Sequence, residues 1–400
     1  MSGEALKKHV LNNSAVICLI AGESSGDLIA YNLMKSLKRK SSVPLKFVGI
    51  GGPLMEAEGL EPLFPISDIS VIGVLEIIPH VRRILKRVKE TISFIKEIRP
   101  QAVISVDVPA FSFRVEKELK DAGIPLLHYV APTVWAWRPK RAEKISKFLN
   151  HLLTVFPFEP PYFEKHGLKT TFVGHPVKDV GIEKGCAERF HEKYGLLPGE
   201  PVLTILPGSR RSELKKHLPI FERTLHDLWI NHPHIHIAIP VVPHLRETVR
   251  TWIAAAPFPV SMIEGEMDKY DCFKASTVAL AASGTVTLEL ACAGLPTVAV
   301  YKTGKATEMV VRRMIKIPYV CMVNILLNKR AIPELLQADC TPEKIRAALN
   351  HLLESKEARD EQKKALKQAA DMLSVGNTSA SDQAAEAVLP YLQEAKKQAA

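Results

Sequence analysis

The sequence predicts an α/β protein of two domains, each built on a parallel sheet with helices on both faces. Apolar runs rich in β-branched residues alternate along the chain with segments whose apolar residues recur at helical spacing. A polar stretch containing Gly and Pro, residues 178–200, separates an earlier series of these runs from a later one and predicts a domain boundary. The 400 residues are enough for two to three hydrophobic cores.

The predicted strands form two series. The earlier series begins with an apolar run from Ala15 to Ala21, and a helix is predicted over 81–98, where apolar residues lie on one stripe. From about residue 355 the chain is helical and rich in Ala, Gln and Lys. The other strands of the earlier series are 45–52, 101–107, 124–130 and 151–156, and those of the later series are 201–208, 234–242, 259–265, 277–283 and 296–301.

Composition and charge narrow the classes of partner. The net charge of +10 predicts anionic partners, namely nucleic acid, phosphorylated substrates or an acidic membrane face. Aromatic and basic residues are not interleaved as in single-strand binders, so we expect no nucleic acid. The six cysteines form no C-x-x-C pair, which favours a reducing compartment over disulfides or zinc. The first residues lack the apolar core of a signal peptide, and polar breaks divide the long apolar stretch 275–300, so neither export nor a membrane span is predicted.

The segment "LPGSRRSELKKH" (206–217) predicts an anion site. A strand ends at Leu206 and a tight turn leads into a helix, whose free N–H groups attract negative charge. Gly208 permits close approach of the backbone, Ser209 can cap the helix, and Arg210 adds a cation. This arrangement suits a diphosphate. The alternative is a capped helix with a solvated arginine.

The segment "ALAASGTVTLELACAGLP" (279–296) predicts a second part of a nucleotide site. Ser283, Gly284 and Thr285 stand at a predicted helix start, again with N–H groups available for an anion. Glu289 follows about one turn inside an otherwise apolar helix, and the vicinal hydroxyls of a ribose would give its carboxylate a partner. The alternative is that Glu289 reaches water at a frayed helix edge.

Three further stretches in the earlier half are candidate binding segments. In "AGESSGDL" (21–28), Gly22 and Gly26 permit a tight turn, and we expect Ser24, Ser25 and Asp27 to cap the next helix. The segment carries neither a dinucleotide nor a P-loop fingerprint. The alternative is a bare capped turn. Asp107 closes the strand of "SVDVPAF" (105–111), where its carboxylate could accept a proton from a hydroxyl nucleophile or merely initiate a turn.

The segment "APTVWAWR" (131–138) predicts a rigid aromatic wall. Two tryptophans, Trp135 and Trp137, offer an apolar or sugar ligand a flat surface, and the cations nearby are Arg138, Lys140 and Arg141. Packed loop tryptophans are the alternative.

In order along nearly the whole chain, these motifs resemble the lipid-A-disaccharide synthase family. The resemblance is carried by "AGESSGDL", "SVIGVLEIIPH", "SVDVPAF", "APTVWAWR", "FVGHP", "LPGSRRSE", "ASGTVTLE" and "VNILLNKRAIPELLQ". The family's D-x-P-x-F-N motif ends here in Ser112, the small residue before Pro132 is Ala131, and the S-L-P-N motif is "CMVN" (321–324).

The resemblance implies a GT-B fold, two Rossmann-like domains whose parallel sheets face a central cleft. It implies an inverting glycosyltransferase that condenses UDP-2,3-diacylglucosamine with 2,3-diacylglucosamine 1-phosphate (lipid X), giving the β-1,6-linked disaccharide 1-phosphate and UDP. No cofactor or metal is expected, and the sequence contains no D-x-D motif. The implied domains are an acceptor domain, 1–178, a UDP-sugar domain, 179–354, and helices, 355–400, that pack back on the first domain or exchange in a homodimer.

The resemblance also assigns roles to residues. Asp107 is the expected base for the acceptor hydroxyl, and Arg210 with the N–H groups of Gly208 and Ser209 is expected to hold the diphosphate. Asn324 is expected on the UDP-sugar side with Glu289. On the acceptor side, the implied residues are Ser24, Ser25, Gly26, Asp27, Trp135 and Arg138.

Because both implied substrates carry acyl chains, we expect the enzyme to work on the anionic cytoplasmic face of a Gram-negative inner membrane. The apolar segment 69–80 precedes a helix with a basic face, and 310–320 is a second candidate. The alternative is a buried segment and a solvated helix face. The basic residues of the first candidate are Arg82, Arg83, Lys86, Arg87 and Lys89.

Two other functions stay open at the level of sequence. One is another GT-B enzyme acting on a UDP-sugar, such as a peptidoglycan glycosyltransferase or a UDP-GlcNAc epimerase. The other is a non-catalytic module that senses a UDP-sugar or an anionic lipid.

Overall fold

Two units, each with a parallel sheet between layers of helices, make up the chain. The computed structural model describes residues 14–70, 81–197, 199–304, 308 and 317–399, with the backbone alone for 393–399. The first unit runs to Asp179 and takes in the chain again from Leu373, while the second covers Val180–Met372. The division lies one residue from the boundary predicted at 178.

The first unit contains a seven-stranded parallel sheet in the order β3-β2-β1-β4-β5-β6-β7. Every residue of β1 and β4 is buried, because helices cover both faces of the sheet, and this explains their unbroken apolar sequences. The strands are β1 Ala15–Ala21, β2 Leu45–Ile50, β3 Leu60–Pro62, β4 Ala102–Val106, β5 Leu126–Tyr129, β6 His151–Thr154 and β7 Thr170–Phe172.

The helices of the first unit connect these strands. Amphipathic α3 buries Val88, Thr91 and Ile95, and most of its basic residues are exposed, while Arg87 is half-buried. The helices are α1 Ser24–Lys40, α2 Pro53–Ala57, α3 Val81–Ile98, α4 Pro109–Leu119, α5 Val134–Trp137, α6 Lys140–Ile145 and α7 Pro160–Glu164.

The second unit contains a six-stranded parallel sheet in the order β10-β9-β8-β11-β12-β13. Its strands are β8 Val202–Leu206, β9 His236–Pro240, β10 Val260–Ile263, β11 Val278–Ala282, β12 Thr297–Tyr301 and β13 Glu334–Leu336. Its helices are α8 Ala187–Tyr194, α9 Arg211–Asn231, α10 Arg246–Ala255, α11 Glu266–Ala275, α12 Val286–Ala293, α13 Met322–Leu327, α14 Pro342–Glu354 and α15 Lys356–Asp371.

The C-terminal helices belong to different units. This corrects the prediction that 355–400 as a whole packs on the first domain or exchanges in a homodimer. Helix α15 packs against α12, α13 and α14 of the second unit. Only the last helix, α16 Ala380–Ala399, packs on α1 of the first unit, where Lys40 and Glu386 form an ion pair at 2.8 Å. Asp179 caps α16 by accepting hydrogen bonds from the N–H groups of Ala380 and Ser381.

In both sheets the strand order reverses beside the first strand of the unit. The reversal lies between β1 and β4 in the first unit and between β8 and β11 in the second. Loops after adjacent strands diverge at such a point and leave a crevice at the carboxyl edge of the sheet, where α/β proteins bind ligands. The candidate residues Gly26 and Asp107, and those at 208–210 and 283–285, follow these four strands.

No helix in the described ranges combines the length and apolar composition needed to cross a bilayer. The predicted interfacial segments fall mostly outside the described residues, at 71–80 and 309–316.

Candidate active site

A cavity of about 550 Å³ opens at the carboxyl edge of the second sheet, within the second unit. Strands β8 and β11 are neighbours, with Leu206 opposite Ala281, so the loops that follow them lie side by side. The cavity has the size of a small-molecule site. Seven residues predicted for the UDP-sugar line it: Gly208, Ser209, Arg210, Ser283, Gly284, Thr285 and Glu289.

The turn at 207–210 is closed by a carboxylate from its own helix. Glu213 Oε2 accepts hydrogen bonds from the N–H groups of Ser209 (3.0 Å) and Arg210 (3.2 Å). Gly208 has φ +125°, and a Cβ there would lie 2.5 Å from Glu213 Oε2. The prediction that the Ser209 N–H is free for a diphosphate is therefore wrong in this structure. Arg210, rather than Ser209, occupies the N-cap position of α9.

The Arg210 guanidinium is the cation that this turn leaves accessible. Its side chain is 57% exposed and Nη1 lies 3.4 Å from Glu213 Oε1, a contact too long and too solvated to hold it firmly. Arginine can bind two phosphate oxygens at once. The turn thus offers an anion a side-chain donor.

Two histidines hold the same turn in place. His217 Nδ1 lies 2.6 Å from the Pro207 carbonyl, and the Lys302 N–H donates to His217 Nε2 at 3.1 Å. These bonds require a neutral ring with its proton on Nδ1, and burial lowers the pKa of His217 accordingly. His244 Nε2 lies 3.0 Å from the Ser209 carbonyl. Sequence reasoning missed both histidines, since helical periodicity does not reveal their loop partners.

Ion pairs line the opposite wall of the cavity. Lys269 Nζ lies 2.8 Å from Glu266 Oε2 and 3.0 Å from Glu289 Oε2. Burial raises the pKa of Glu289, and Lys269 works against that rise. Arg246 and Glu264 form a further pair at 2.6 Å. Lys269 was not predicted from sequence, where it is one lysine on a polar helix.

Two buried carboxylate oxygens of the cavity face cations. Glu264 Oε1 lies 2.6 Å from Arg246 Nε, and Glu289 Oε2 lies 3.0 Å from Lys269 Nζ. Ser283 Oγ is buried and makes no hydrogen bond to any residue that the structure describes. Buried polar atoms are nearly always hydrogen-bonded, so this hydroxyl requires an explanation. A polar ligand would give Ser283 a partner, and each carboxylate oxygen has a second lone pair that can accept from a ligand hydroxyl.

Asn324 supports the second unit internally, which corrects its predicted place in the ligand site. The side chain is fully buried, and its Oδ1 accepts from the N–H groups of Ala331 and Ile332, both at 2.8 Å. Its amide donates to the Ile332 carbonyl and to Glu334 Oε1, both at 2.9 Å. Glu334 Oε1 also accepts from the Cys321 N–H. Asn324 therefore fixes the segment around α13 and has no group left for a sugar.

In the first unit, Asp107 lies at the carboxyl end of β4 in strained backbone. Asp107 has φ +56° and Val108 has φ +51°, both in the left-handed region. Such strain persists where the surrounding structure enforces it, often at functional sites. The Asp107 N–H donates to the Tyr129 carbonyl at 2.9 Å, and the Ser112 hydroxyl lies 3.2 Å from the carbonyls of Asp107 and Val108. Burial raises the pKa of the Asp107 carboxyl, while the Val108 N–H lowers it.

The opening segment is built differently from the prediction. Asp27 is buried and accepts hydrogen bonds from the N–H groups of Gly52 (2.9 Å), Leu54 (3.1 Å) and Met55 (3.1 Å), so it caps α2 rather than α1. The N-cap residue of α1 is Glu23, whose side chain makes no capping hydrogen bond, and this corrects the capping role expected of Ser24, Ser25 and Asp27. The two serines are exposed at the start of α1.

Gly26 brings α1 close to β4. A Cβ on this residue would lie 3.2 Å from the Val106 carbonyl, tighter than ordinary contact. Whether these residues bind an acceptor stays a prediction.

Ser105, Glu116 and His128 form a fully buried polar network on the elements that flank Asp107. Ser105 Oγ, on β4, lies 2.5 Å from Glu116 Oε1 of α4 and 2.5 Å from His128 Nδ1 of β5. Burial raises the pKa of Glu116 to about 8 and lowers that of His128 to about 3. The network is therefore uncharged at neutral pH and joins the three elements around the strained turn. No pattern in the sequence indicated that these three residues are in contact.

Trp135 is fixed to a neighbouring loop. Its indole N–H donates to Glu159 Oε1 at 3.2 Å, and Glu159 Oε2 accepts from the N–H groups of Val155 and Phe156. Arg138 lies over the Trp137 ring at 4.2 Å, and Trp137 is 38% exposed. The exposed part of the predicted wall is thus Trp137 with Arg138, while Trp135 is anchored behind it.

A protein-family model described as lipid-A-disaccharide synthetase matches residues 17–388. The chain belongs to this family. The lipid-A-disaccharide synthase of Rhodospirillum centenum is 48% identical over 376 residues, covering 94% of each chain. The chain is accordingly an enzyme, a glycosyltransferase of lipid A biosynthesis, and the alternative of a non-catalytic module is wrong.

Solved structures confirm the GT-B fold class expected for a lipid-A-disaccharide synthase. The structure is similar to S. aureus MnaA solved with UDP, with a TM-score of 0.64 at 12% identity, covering 95% of this chain and 97% of that one. It is also similar to Acinetobacter baumannii MurG, with a TM-score of 0.58 at 16% identity over 95% and 99% of the chains.

No three His, Cys, Asp or Glu side chains within the described ranges are grouped so that they could hold a metal ion. Independence from metal and from cofactors stays a prediction.

Proposed function

We propose that the chain transfers the sugar of UDP-2,3-diacylglucosamine to the 6-hydroxyl of 2,3-diacylglucosamine 1-phosphate, with inversion at the anomeric carbon. The observation that carries the donor half of this proposal is the cavity of the second unit, with its buried Glu289 carboxylate, its unsatisfied Ser283 hydroxyl and its accessible arginine. The fold neighbour MnaA, whose structure contains UDP, supports a uridine nucleotide as the occupant. Family membership supports the lipid A sugars as substrates.

In the proposed donor complex, Glu289 accepts hydrogen bonds from the ribose hydroxyls, and Arg210 binds the diphosphate. When the bond from the anomeric carbon to the diphosphate oxygen breaks, negative charge grows on UDP. A guanidinium that binds that oxygen stabilises the transition state more than the ground state, because the negative charge is larger in the transition state. Because Glu213 already occupies the N–H groups of Ser209 and Arg210, we assign most of this stabilisation to the Arg210 side chain.

In the proposed acceptor complex, Asp107 is the general base. As the 6-oxygen forms its bond to the anomeric carbon, the hydroxyl proton passes to the Asp107 carboxylate, and UDP leaves from the opposite face. One displacement of this kind inverts the α-linked donor to a β-linked product. Burial raises the pKa of Asp107, and a carboxylate with a raised pKa is a stronger base.

We also propose that helix α3 helps the enzyme to bind the anionic face of the inner membrane from the cytoplasm. Val81 and Leu85 are exposed apolar residues, and the neighbouring Arg82 and Lys86 are exposed cations. An apolar edge with cations beside it is typical of helices that lie at a bilayer surface. Arg87 contributes less than predicted, because it pairs with Asp68 and Glu90.

A turnover assay with the purified chain tests the reaction. With both diacylated sugars in detergent micelles, we expect stoichiometric UDP and a disaccharide 1-phosphate, whose anomeric proton coupling in NMR shows the β configuration. UDP-GlcNAc without acyl chains is the control donor. Efficient turnover of that control, its epimerisation, or an α-linked product would contradict the proposal.

A further inference from the structure

Lys269 lies between two carboxylates on the wall of the second-unit cavity. Its ammonium group is 2.8 Å from Glu266 Oε2 and 3.0 Å from Glu289 Oε2, and its side chain is only 18% exposed. Glu266 is itself held by the Tyr270 hydroxyl, which donates to Oε2 at 2.9 Å. Lys269 is thus fixed by Glu266 from its own helix, α11, and reaches across to Glu289 on α12.

The contact between Lys269 and Glu289 uses one acceptor position of the Glu289 carboxylate, at 3.0 Å from Oε2. An ionised carboxylate offers about four such positions on its two oxygens, so others are left for a ligand. A buried carboxylate without a cation would tend to take up a proton, and a protonated oxygen is a poorer acceptor. Lys269 therefore keeps an ionised oxygen at a defined place while leaving it able to accept a hydrogen bond.

We propose that Lys269 is a positioning residue through which Glu289 recognises the vicinal hydroxyls of a nucleoside diphosphate ribose. The inference rests on the proposed function, because it assumes that UDP occupies this cavity. The inference adds that the ion pair between Lys269 of α11 and Glu289 of α12 determines the preference for a ligand with two adjacent hydroxyl groups. Lys269 acts through Glu289 and does not touch the reacting atoms.

The surroundings of Lys269 argue against a role as the phosphate ligand. Two carboxylates already neutralise its charge at short distance, so binding a phosphate would mean giving up both. Arg210 is 57% exposed, and its ion pair with Glu213 is long, at 3.4 Å. Arg210 is therefore the better phosphate ligand of the two cations, and Lys269 remains paired with the Glu289 carboxylate.

The test compares two nucleotides, UDP and 2′,3′-dideoxy-UDP, by isothermal titration calorimetry on the full chain. We expect the unsubstituted protein to prefer UDP by about tenfold or more, since the analogue leaves Glu289 without its donors. Lys269→Met should reduce this preference to about threefold or less by weakening UDP alone. Lys269→Arg should retain most of it. The matched control is Lys274→Met, an exposed lysine of the same helix, which should leave both affinities unchanged.

The outcomes separate the two proposals. If the unsubstituted protein binds UDP and the analogue equally well, ribose recognition by Glu289 is wrong and this inference is wrong with it. If that protein discriminates and Lys269→Met discriminates equally, the proposed function stands and the role of Lys269 is overturned. An equal loss for both nucleotides in Lys269→Met would also overturn it, in favour of a phosphate contact. Thermal melting of each variant shows that the comparison is made between folded proteins.

Discussion

Gly22 packs directly on the side chain of Val108, and a Cβ at position 22 would lie 2.4 Å from Val108 Cγ2. The two residues follow the carboxyl ends of the neighbouring strands β1 and β4. Val108 is the second of two consecutive residues in left-handed backbone, directly after Asp107. The opening loop and the candidate base therefore share one tightly packed contact, which explains the need for glycine in a segment that carries no nucleotide fingerprint.

Gly22→Ala is expected to destabilise the protein by about 1–3 kcal/mol, because the added methyl group must displace Val108. Turnover should fall with it, since moving Val108 moves Asp107. Chemical denaturation and the turnover assay measure the two effects. The double variant Gly22→Ala/Val108→Ala restores space and should recover part of both losses. If the losses of the two single variants simply add in the double variant, the two residues do not interact.

Asp107→Asn is expected to lower kcat by at least about a hundredfold, because an amide cannot accept the hydroxyl proton. UDP affinity should change by less than about twofold, since UDP is assigned to the cavity of the second unit. Steady-state kinetics and calorimetry measure the two quantities. Asp121→Asn, an exposed carboxylate of the same unit, is the matched control and should retain full activity. Near-normal turnover of Asp107→Asn would remove Asp107 as the base.

Arg210→Met is expected to lower kcat/KM by about a hundredfold, the usual cost of losing a group that stabilises a leaving charge. Arg210→Lys should restore only part of this loss, because an ammonium group cannot bind two phosphate oxygens in one plane. The adjacent Arg211 is exposed and does not line the cavity, so Arg211→Met is the control. Equal activities of the two methionine variants would contradict a specific role for Arg210.

The fold was largely predictable because its central strands are buried on both faces and read as continuous apolar runs. The edge strands β3, β7 and β13 were missed, since three residues carry too little pattern. Within the site, the closure of the turn by Glu213 was not predictable, because a capping box is recognised by Ser or Thr three residues before the glutamate and that position is Arg210.

Other parts of the site depend on partners far apart in the chain. Asp27 accepts hydrogen bonds from backbone N–H groups that lie 25 to 28 residues away in the sequence. The hydrogen-bonding groups of Asn324 are all engaged with the segment that leads to β13. The family motif marks both positions as important without distinguishing a ligand contact from internal support. Lys269 stands on a polar helix, and only packing reveals that it meets Glu289.

Reversing the charge of Arg82 and Lys86, both to Glu, is expected to weaken binding to vesicles that contain anionic phospholipid. Each cation near such a surface contributes about 1 kcal/mol, so the double variant should lose at least about tenfold in vesicle affinity. Vesicle sedimentation measures the change, and neutral vesicles should show no difference. The control reverses Lys363 and Lys364, two exposed residues of α15. Unchanged binding of the α3 variant would contradict docking through this helix.

The Ser105–Glu116–His128 network predicts a stability that depends on pH. Burial raises the pKa of Glu116 to about 8 from an ordinary 4.5, so the folded protein prefers the protonated carboxyl. The contribution of the Glu116 carboxyl to the free energy of unfolding is fully present below about pH 4.5 and is lost as the pH rises through 8. Burial lowers the pKa of His128 from 6.5 to about 3, which gives the opposite dependence, and that one is confined to pH below 6.5. Between pH 7 and 9, the decrease in the free energy of unfolding is therefore caused by Glu116 and not by His128.

Glu116→Gln removes the ionisable group and keeps the shape of the side chain. We expect the unfolding free energy of the variant, measured in urea, to fall less between pH 7 and 9 than that of the unsubstituted protein. Glu159→Gln is the matched control: burial raises the pKa of Glu159 to about 7, so its effect lies mostly at lower pH. Because the network joins β4, α4 and β5 around Asp107, kcat of the unsubstituted protein should decline over the same range of pH, and the decline should weaken in Glu116→Gln. Parallel pH profiles of Glu116→Gln and the unsubstituted protein would show that the carboxyl is already ionised in the folded state.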